Sequence, residues 1–395
     1  MPGSVIVAGA RTPIGKLSGA LASLPATELG GIAIRAALER AGVAPDQVDY
    51  VFMGQVLQAG AGQITARQAA VKAGIPMTVP ATTINKVCLS GLNAVHLADQ
   101  AIQLGEADIV VAGGMESMTQ SPYLIPGARA GLRMGDSTLV DSMMLDGLFC
   151  SFDVCAMGAG TEKYTRAAGT VSRARQDAFA ATSHERASAA MKEGRFAQEI
   201  VPVAVPQRKG DPLLVEEDEG VRPGTTAESL AKLRPAFEAD GTISAGNASQ
   251  ISDGGAAVVM MSKAKADELG VTPLGEVLSY GQVAGPDASL LTQPSRSTKQ
   301  ALERARLGVG DIDLFEFNEA FAAVGLASMD DLGLSDDIVN VNGGAIALGH
   351  PIGMSGTRLA LTLLLELQRR GGGLGVAALC GGGGQGDALV VRSLV

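Results

Sequence analysis

Leu38-Glu39-Arg40-Ala41 returns as Leu302-Glu303-Arg304-Ala305, and Val48-Asp49 returns as Ile312-Asp313, each 264 residues after its first appearance. Self-similarity is read first because it sets the architecture. A period this long cannot be a solenoid repeat, so the chain reads as two copies of one half-domain. At nearly the same offset, Cys88 in Ile84-Asn85-Lys86-Val87-Cys88-Leu89-Ser90-Gly91 falls opposite His350 in Asn342-Gly343-Gly344-Ala345-Ile346-Ala347-Leu348-Gly349-His350-Pro351-Ile352-Gly353. Each lies in a turn that follows a short apolar run and precedes an apolar-periodic stretch. A pseudo-twofold axis then brings a thiol and an imidazole from opposite halves face to face, as nucleophile and base.

Within each copy, strand and helix patterns alternate. In the first, 5–8, 50–53, 81–84 and 108–112 read as strands and 28–40, 62–72 and 91–104 as helices, with Thr27 as N-cap of the first helix. Gly113-Gly114 closes the unit. In the second, strands near 274–280, 314–317, 375–379 and 387–392 alternate with helices near 297–305, from Glu319 onward, and over 355–369. Such alternation implies parallel strands with crossover helices. Two stacked sheets sharing central helices would bury both. From 117 to 244 the rhythm breaks into Pro, Gly and charged segments, with one amphipathic helix over 175–192 and an acidic stretch at 216–219. This length argues for an inserted subdomain; strand character resumes at 256–261. The expected division is therefore 1–117 with 245–268 as one core half, 118–244 as the insert, and 269–395 as the other half.

Aliphatic residues fill the core, since 46% of the chain is hydrophobic but only 3% is aromatic and Trp is absent. A net charge of −10 gives no general basic surface for nucleic acid. No apolar run approaches the roughly 18 residues of a membrane span, the start Met-Pro-Gly-Ser lacks a charged n-region, and the end Arg-Ser-Leu-Val is not a peroxisomal Ser-Lys-Leu. A cytoplasmic protein is expected. The four Cys, at 88, 150, 155 and 380, show no CxxC spacing, so neither a disulfide framework nor a metal site is expected, and Cys150 and Cys155 read as small buried hydrophobes.

Cys88 sits where a strand gives way to a helix, so backbone N–H groups and the helix dipole should favour its thiolate. A buried structural Cys is the commoner fate of a lone thiol; Gly91, read as letting a ligand approach, and the matched His favour the nucleophile. Of three His, His96 lies on the same helix about 12 Å further along and cannot reach the sulfur. His184, on a polar helix, reads as a solvated side chain. His350, between Gly349 and Pro351, is the remaining base. Asn318 either caps the helix from Glu319 or aims an amide at the site. Cys380 ends a strand before Gly381-Gly382-Gly383-Gly384-Gln385-Gly386, whose bare N–H groups suit an oxyanion hole. Gly381, Gly383 and Gly386 also satisfy a dinucleotide fingerprint, but only nine residues follow, too few for a crossover helix.

Together, the segment 85–91, Asn318-Glu319-Ala320-Phe321, the segment 343–351 and the segment 380–386 resemble the thiolase signatures in family order. The likeness runs from Val5-Ile6-Val7-Ala8-Gly9-Ala10-Arg11-Thr12-Pro13 to the last strand, and within the family lies nearest bacterial acetyl-CoA acetyltransferases. It implies an α/β, duplicated αβαβα layered fold with two mixed sheets, central helices and an inserted loop domain that binds coenzyme A, in a homotetramer. It implies that Cys88 takes the acyl group, His350 takes its proton, Cys380 abstracts the α-proton of a second acetyl-CoA, Asn318 (through a water) and His350 hold the enolate oxygen, and the N–H groups of Cys88 and Gly382 hold the acyl oxyanion. It places Arg222 and Ser229 near the coenzyme A nucleotide, Ser249 on the pantetheine, and Met157 with Phe321 at the acyl end. Acetyl-CoA, acetoacetyl-CoA and coenzyme A are then substrates and products, with no resident cofactor, no metal, no nucleic acid and no membrane partner.

The sequence departs from the family in two places that touch chain length: Ala156-Met157-Gly158 stands where many short-chain members have His-Met-Gly, and Leu290 or Leu291 replaces a Met of the pocket wall. The alternatives to an acetyl-specific thiolase are a 3-ketoacyl-CoA thiolase of broader chain length, a ketoacyl-synthase-like condensing enzyme, and a thiolase-like binding protein without turnover. A synthase places a second His or Asn where this chain offers Cys380, and a binding protein tends to lose the catalytic residues.

Overall fold

The computed structural model describes residues 4–394; Met1 to Gly3 and Val395, which entered the reading of targeting signals, lie outside them. In the first copy the strands are β1 (Ser4–Arg11), β2 (Tyr50–Gly54), β3 (Ala81–Ile84), β4 (Ile109–Ser117) and β5 (Ser252–Ser262). They lie in the spatial order β3-β2-β4-β5-β1. The second copy has β6 (Gly275–Ala284), β7 (Leu314–Phe317), β8 (Gly373–Gly381) and β9 (Gln385–Ser393), ordered β7-β8-β9-β6. The second copy lacks a third strand, but a single parallel bridge from Phe315 to Val339 holds its place beside β7. Numbered within its own copy, each half follows 3-2-4-5-1.

The repeat is also visible in backbone detail. The helices Ala26–Ala41 and Gln293–Ala305 both end in a left-handed residue, Gly42 at φ 63° and Arg306 at φ 58°. Such a residue closes a helix by satisfying its last carbonyls, and both N–H groups here do so.

Parallel pairing is confined to β2 with β3 and β4, and to β7 with β8. Strands β5 and β9 run antiparallel to their neighbours, which makes the pairing mixed, as the family resemblance implies: β9 follows β8 through a tight turn, and β5 returns from the long insert. The two half-sheets also join. β1 meets β6 antiparallel at Val5 with Glu276 and Ile6 with Gly275, so with the short strand Gly15–Lys16 on β5 the ladder is one mixed sheet of ten strands.

The helices Ser90–Gln103 and Ser355–Arg369 lie between the two halves. Their Leu92, Val95, Leu359 and Leu363 share one buried cluster with Ile6 and Val110 of the first copy and Leu314 and Leu389 of the second. Ala33, Ile34, Ala66 and Ala69 cover the outer face of the first half, and Leu302 and Met329 that of the second. Covering on both faces explains why every residue of β4 and β5 is buried. The central helices touch almost backbone to backbone: a Cβ on Gly356 would sit 2.3 Å from the Leu92 nitrogen, and one on Gly91 would sit 2.8 Å from the Gly353 carbonyl oxygen. Gly91 therefore serves close packing between the halves, not the approach of a ligand.

The insert holds two substantial helices where one was expected, Met157–Ala168 and Arg173–Lys192, the second capped by the Ser172 hydroxyl. Arg11, fully buried at the end of β1, reaches Glu199 and Asp218 of the insert at 2.7 Å each. Several expected helix starts move, among them 62 to Thr65 and 297 to Gln293. The first helix begins at Ala26 with Pro25 as N-cap, not Thr27. The helix expected from Glu319 begins at Ala322, because residue 321 is extended and bridges Ala248.

Candidate active site

After β3 the chain turns through residues 85–89 into the helix Ser90–Gln103. Val87 is left-handed at φ 52°, a conformation that a β-branched residue rarely adopts. Side chains hold it there. Asn85 Oδ1 accepts the Val87 N–H at 3.0 Å, Ser90 Oγ donates to the Val87 carbonyl at 2.6 Å, and the Lys86 N–H donates to Ser90 Oγ at 2.8 Å.

Burial pushes the Cys88 thiol up to about 12, with the charge of Glu116 adding to the rise, while the backbone N–H groups of Cys88 and Gly382 act to lower it, in the direction the sequence predicts. Desolvation outweighs the helix terminus, so the thiol stays protonated until a base removes its proton.

His350 enters from the second copy. Its N–H donates to the Gln250 carbonyl at 3.1 Å. Its Nδ1 lies 2.6 Å from Ser355 Oγ, which donates its own hydrogen to the Pro351 carbonyl at 2.9 Å. Ser355 must then accept from Nδ1–H, which assigns the tautomer and makes Nε2 the acceptor of the ring. Nε2 lies 3.3 Å from the Asn318 amide nitrogen. Burial, with the nearby Arg358 cation, lowers the His350 pKa to about 3, so the ring is neutral. No hydrogen bond joins His350 to Cys88. Glu116 binds the loop of His350 to the segment after β2, accepting the N–H groups of Val56, Leu57 and Gly353 at 2.9–3.0 Å.

Asn318 is not a helix cap. It follows β7, donates its N–H to the Ala378 carbonyl at 3.0 Å, and buries a side-chain oxygen with no hydrogen-bond partner. An orphaned buried acceptor beside an imidazole suits a bound water. Cys380, near the end of β8, packs among Met157, Leu290, Leu291, Ala320 and Phe321. Burial raises its thiol pKa, and a thiolate formed at Cys88 would raise it further.

A cavity of about 510 Å³ is lined by Met157, Arg222, Ser249 and Phe321 together, with Phe237 and Leu148. Ser229 is not in its lining; it sits in the capping box of the helix Ala227–Ala231. A second cavity, of about 620 Å³, touches Val87, Cys150, Met157 and Gly382. Cys150 is buried and Cys155 only partly so.

His96 stacks on Tyr280 with ring centroids 4.0 Å apart. His184 is not a solvated side chain: it is buried, and its Nδ1 accepts the Arg222 N–H at 3.2 Å. Residue-type reasoning missed Glu116 and Ser355; the one signal for Glu116 was a carboxylate inside an otherwise apolar strand. Among the described residues no group of three or more His, Cys, Asp or Glu could hold a metal ion, and no helix is long and apolar enough to cross a membrane.

Comparison with known proteins agrees with this arrangement. The family description "Thiolase, N-terminal domain" matches residues 4–264, and "Thiolase, C-terminal domain" matches residues 271–393. A probable acetyl-CoA acetyltransferase of Mycolicibacterium smegmatis is 60% identical over 98% of this chain and 100% of its own length. Another from Mycobacterium tuberculosis is 58% identical over all of both chains. An acetyl-CoA acetyltransferase of Cupriavidus necator is 54% identical over 98% of each. With both family halves matched in order over two copies of one topology, this chain belongs to the thiolase family of acyltransferases.

Proposed function

We propose that the enzyme condenses two acetyl-CoA molecules reversibly into acetoacetyl-CoA and free coenzyme A, through an acyl group carried on Cys88. The observation that supports this most is the packing of the Gly381-Gly382 turn against the Cys88 loop, where a Cβ on Gly382 would lie 3.3 Å from Val87 and one on Gly381 2.6 Å from Leu89, in a chain of the thiolase family. In the first half-reaction His350 Nε2 takes the Cys88 proton as the sulfur attacks the thioester carbonyl. The two N–H groups hold the oxyanion, and the Cys380 thiol gives its proton to the departing coenzyme A sulfur, leaving a Cys380 thiolate and a His350 imidazolium. In the second, the Cys380 thiolate removes the α-proton of another acetyl-CoA. His350 and an Asn318-bound water hold the enolate oxygen while its carbon attacks the acyl group and frees Cys88, which takes back its proton from His350. Two sulfurs are needed because one is esterified while the other acts as base.

Residues 118–244 would form the coenzyme A-binding domain, with Arg222 toward the nucleotide, Ser249 on the pantetheine, and Met157 and Phe321 at the acyl end. Ser229 would meet the nucleotide from the exposed rim, outside the cavity. The core halves would be 1–117 with 245–268, and 269–395. Exposed Tyr123, Leu132, Met134 and Leu139 in the insert support assembly as a tetramer. Four unpaired thiols suit the reducing cytoplasm. No metal or resident cofactor has a step in this scheme.

The test is mass spectrometry after mixing with acetyl-CoA. The wild type gains one acetyl group at Cys88, Cys88→Ala gains none, and Cys380→Ala is acetylated but forms no acetoacetyl-CoA. Acetylation of Cys88→Ala at wild-type levels sinks the nucleophile assignment.

A further inference from the structure

Lys86, two residues before Cys88, extends its ammonium to both oxygens of Asp387, at 2.8 and 2.9 Å. Asp387 lies one residue beyond the glycine run that carries Gly382, and its side chain has no solvent exposure, whereas that of Lys86 retains 23%. Tyr280, on β6, donates its hydroxyl to Asp387 Oδ2 at 2.7 Å, and His96 from the Cys88 helix stacks on the Tyr280 ring. Burial raises the Asp387 pKa, and Lys86 and Tyr280 oppose the rise. None of these four residues has a part in the chemistry above.

Placing a carboxylate out of water rarely stabilises a fold by itself, even when it is paired; what such a pair supplies is fixed geometry. The geometry at stake is specific. The loop of Cys88 and the loop of Gly382 come from different copies of the repeat, yet in the chemistry above both must aim an N–H at one acyl oxygen. Between the loops the remaining contacts are apolar and tight: a Cβ on Gly381 would lie 2.6 Å from Leu89, and one on Gly382 would lie 3.3 Å from Val87. Val87, between Lys86 and Cys88, holds a disfavoured left-handed conformation, so the Cys88 loop tends to relax unless it is pinned.

We infer that Lys86 and Asp387 are a positioning pair, a charged clasp between the two halves that holds the Cys88 loop against the Gly382 turn, so that both N–H groups can face the acyl oxygen carried on Cys88. They touch no substrate atom. The inference rests on Cys88 being the nucleophile and adds what keeps its oxyanion site assembled. Asp387→Asn preserves size and the Tyr280 bond but loses the charge. It is expected to slow acetylation of Cys88 by acetyl-CoA about ten-fold or more, since small misplacements at a reacting centre carry penalties of this order, with KM for acetyl-CoA within about three-fold of wild type. Alkylation of Cys88 by iodoacetamide, which needs no acyl-CoA, falls in step.

A double-mutant cycle with Lys86→Met separates a pair from two independent residues. Coupled residues make Lys86→Met/Asp387→Asn no slower than the worse single variant; losses that multiply overturn the inference. So does a variant with a lowered melting temperature but wild-type acetylation and alkylation rates. Should a single variant fail to fold, the double, which leaves no unpaired buried charge, carries the test alone: the ten-fold loss supports the clasp and wild-type rates overturn it. A wild-type enzyme alkylated at Cys88 but never acetylated defeats the thiolase reading instead, and the alkylation arm still tests the clasp.

Discussion

Glu116 and Gly353 lie 237 residues apart in the chain and are joined by a hydrogen bond of 2.9 Å from the glycine N–H to the carboxylate. The same carboxylate takes the N–H groups of Val56 and Leu57, so one buried side chain ties the end of β2 to the loop that delivers His350. Burial outweighs these three donors and raises its pKa to about 7. A folded-state value above the ordinary 4.5 means that the folded protein binds the proton more tightly than the unfolded chain. The resulting stability is full below pH 4.5 and is lost as pH rises through 7, by roughly 3 kcal/mol over that window.

Glu116→Gln removes the titration and turns an amide toward an N–H donor. We expect it to be less stable than wild type by about 1–3 kcal/mol at pH 5, the gap narrowing toward pH 8, and to lose most of its turnover. Urea unfolding at several pH values measures this. A gap that widens with pH would falsify the assignment.

Acid should unfold the protein early. His350 titrates near 3, and His96 and His184 near 4, all lowered from 6.5 chiefly by burial. Depressed values mean stability that is present above pH 6.5 and lost as pH falls toward 3, on the order of 5 kcal/mol for His350 alone. His184→Gln retains an oxygen able to accept the Arg222 N–H, and its acid midpoint should move to lower pH. Circular dichroism against pH reads this directly; an unmoved midpoint counts against burial as the cause.

Gly158 marks the tightest part of the substrate cavity. A Cβ there would sit 2.1 Å from the Phe237 ring, which lines the same cavity. Gly158→Ala must push that ring, and steady-state kinetics should show KM for acetyl-CoA up roughly ten-fold with a smaller change in kcat, the pattern of lost ground-state binding. An unchanged KM means that the ring has room to move.

Arg306 offers a gain. It is exposed and left-handed at the position where the first copy has Gly42. Arg306→Gly should stabilise the protein by about 0.5–1 kcal/mol by removing the Cβ clash, seen as a higher urea midpoint at unchanged activity. A lowered midpoint would indicate that the Arg side chain contributes more than its backbone conformation costs.

Much of this was legible beforehand. Strands 81–84 and 314–317 and the helix 355–369 fall where the apolar patterns ended, because turn and capping residues bound them. The motifs also marked His350 and Asn318, whose side chains meet at 3.3 Å. What escaped was non-local. Asn318 has the chemistry of a cap, but the extended pairing of Phe321 with Ala248 delays the helix by three residues. His184 looked solvated because the segment that covers it arrives 38 residues later. The state of Cys88 depended on a contest of magnitudes, helix terminus against desolvation, that no local pattern decides. Ser355 and Glu116 act through partners that only the folded chain supplies.

The loss of a third strand from the second copy has a further meaning. In the first copy that strand runs straight into the thiol; in the second it has shrunk to the bridge at Val339, and the freed segment wanders inward until the backbone at His350 and Gly353 meets Gln250 and Glu116 of its sibling. Two faithful duplicates would have produced a symmetric pair of identical corners, each with one reactive group and no complement. Divergence between the copies gave the molecule two unlike tools at one bench, so neither half expressed alone should turn over substrate, however well it folds.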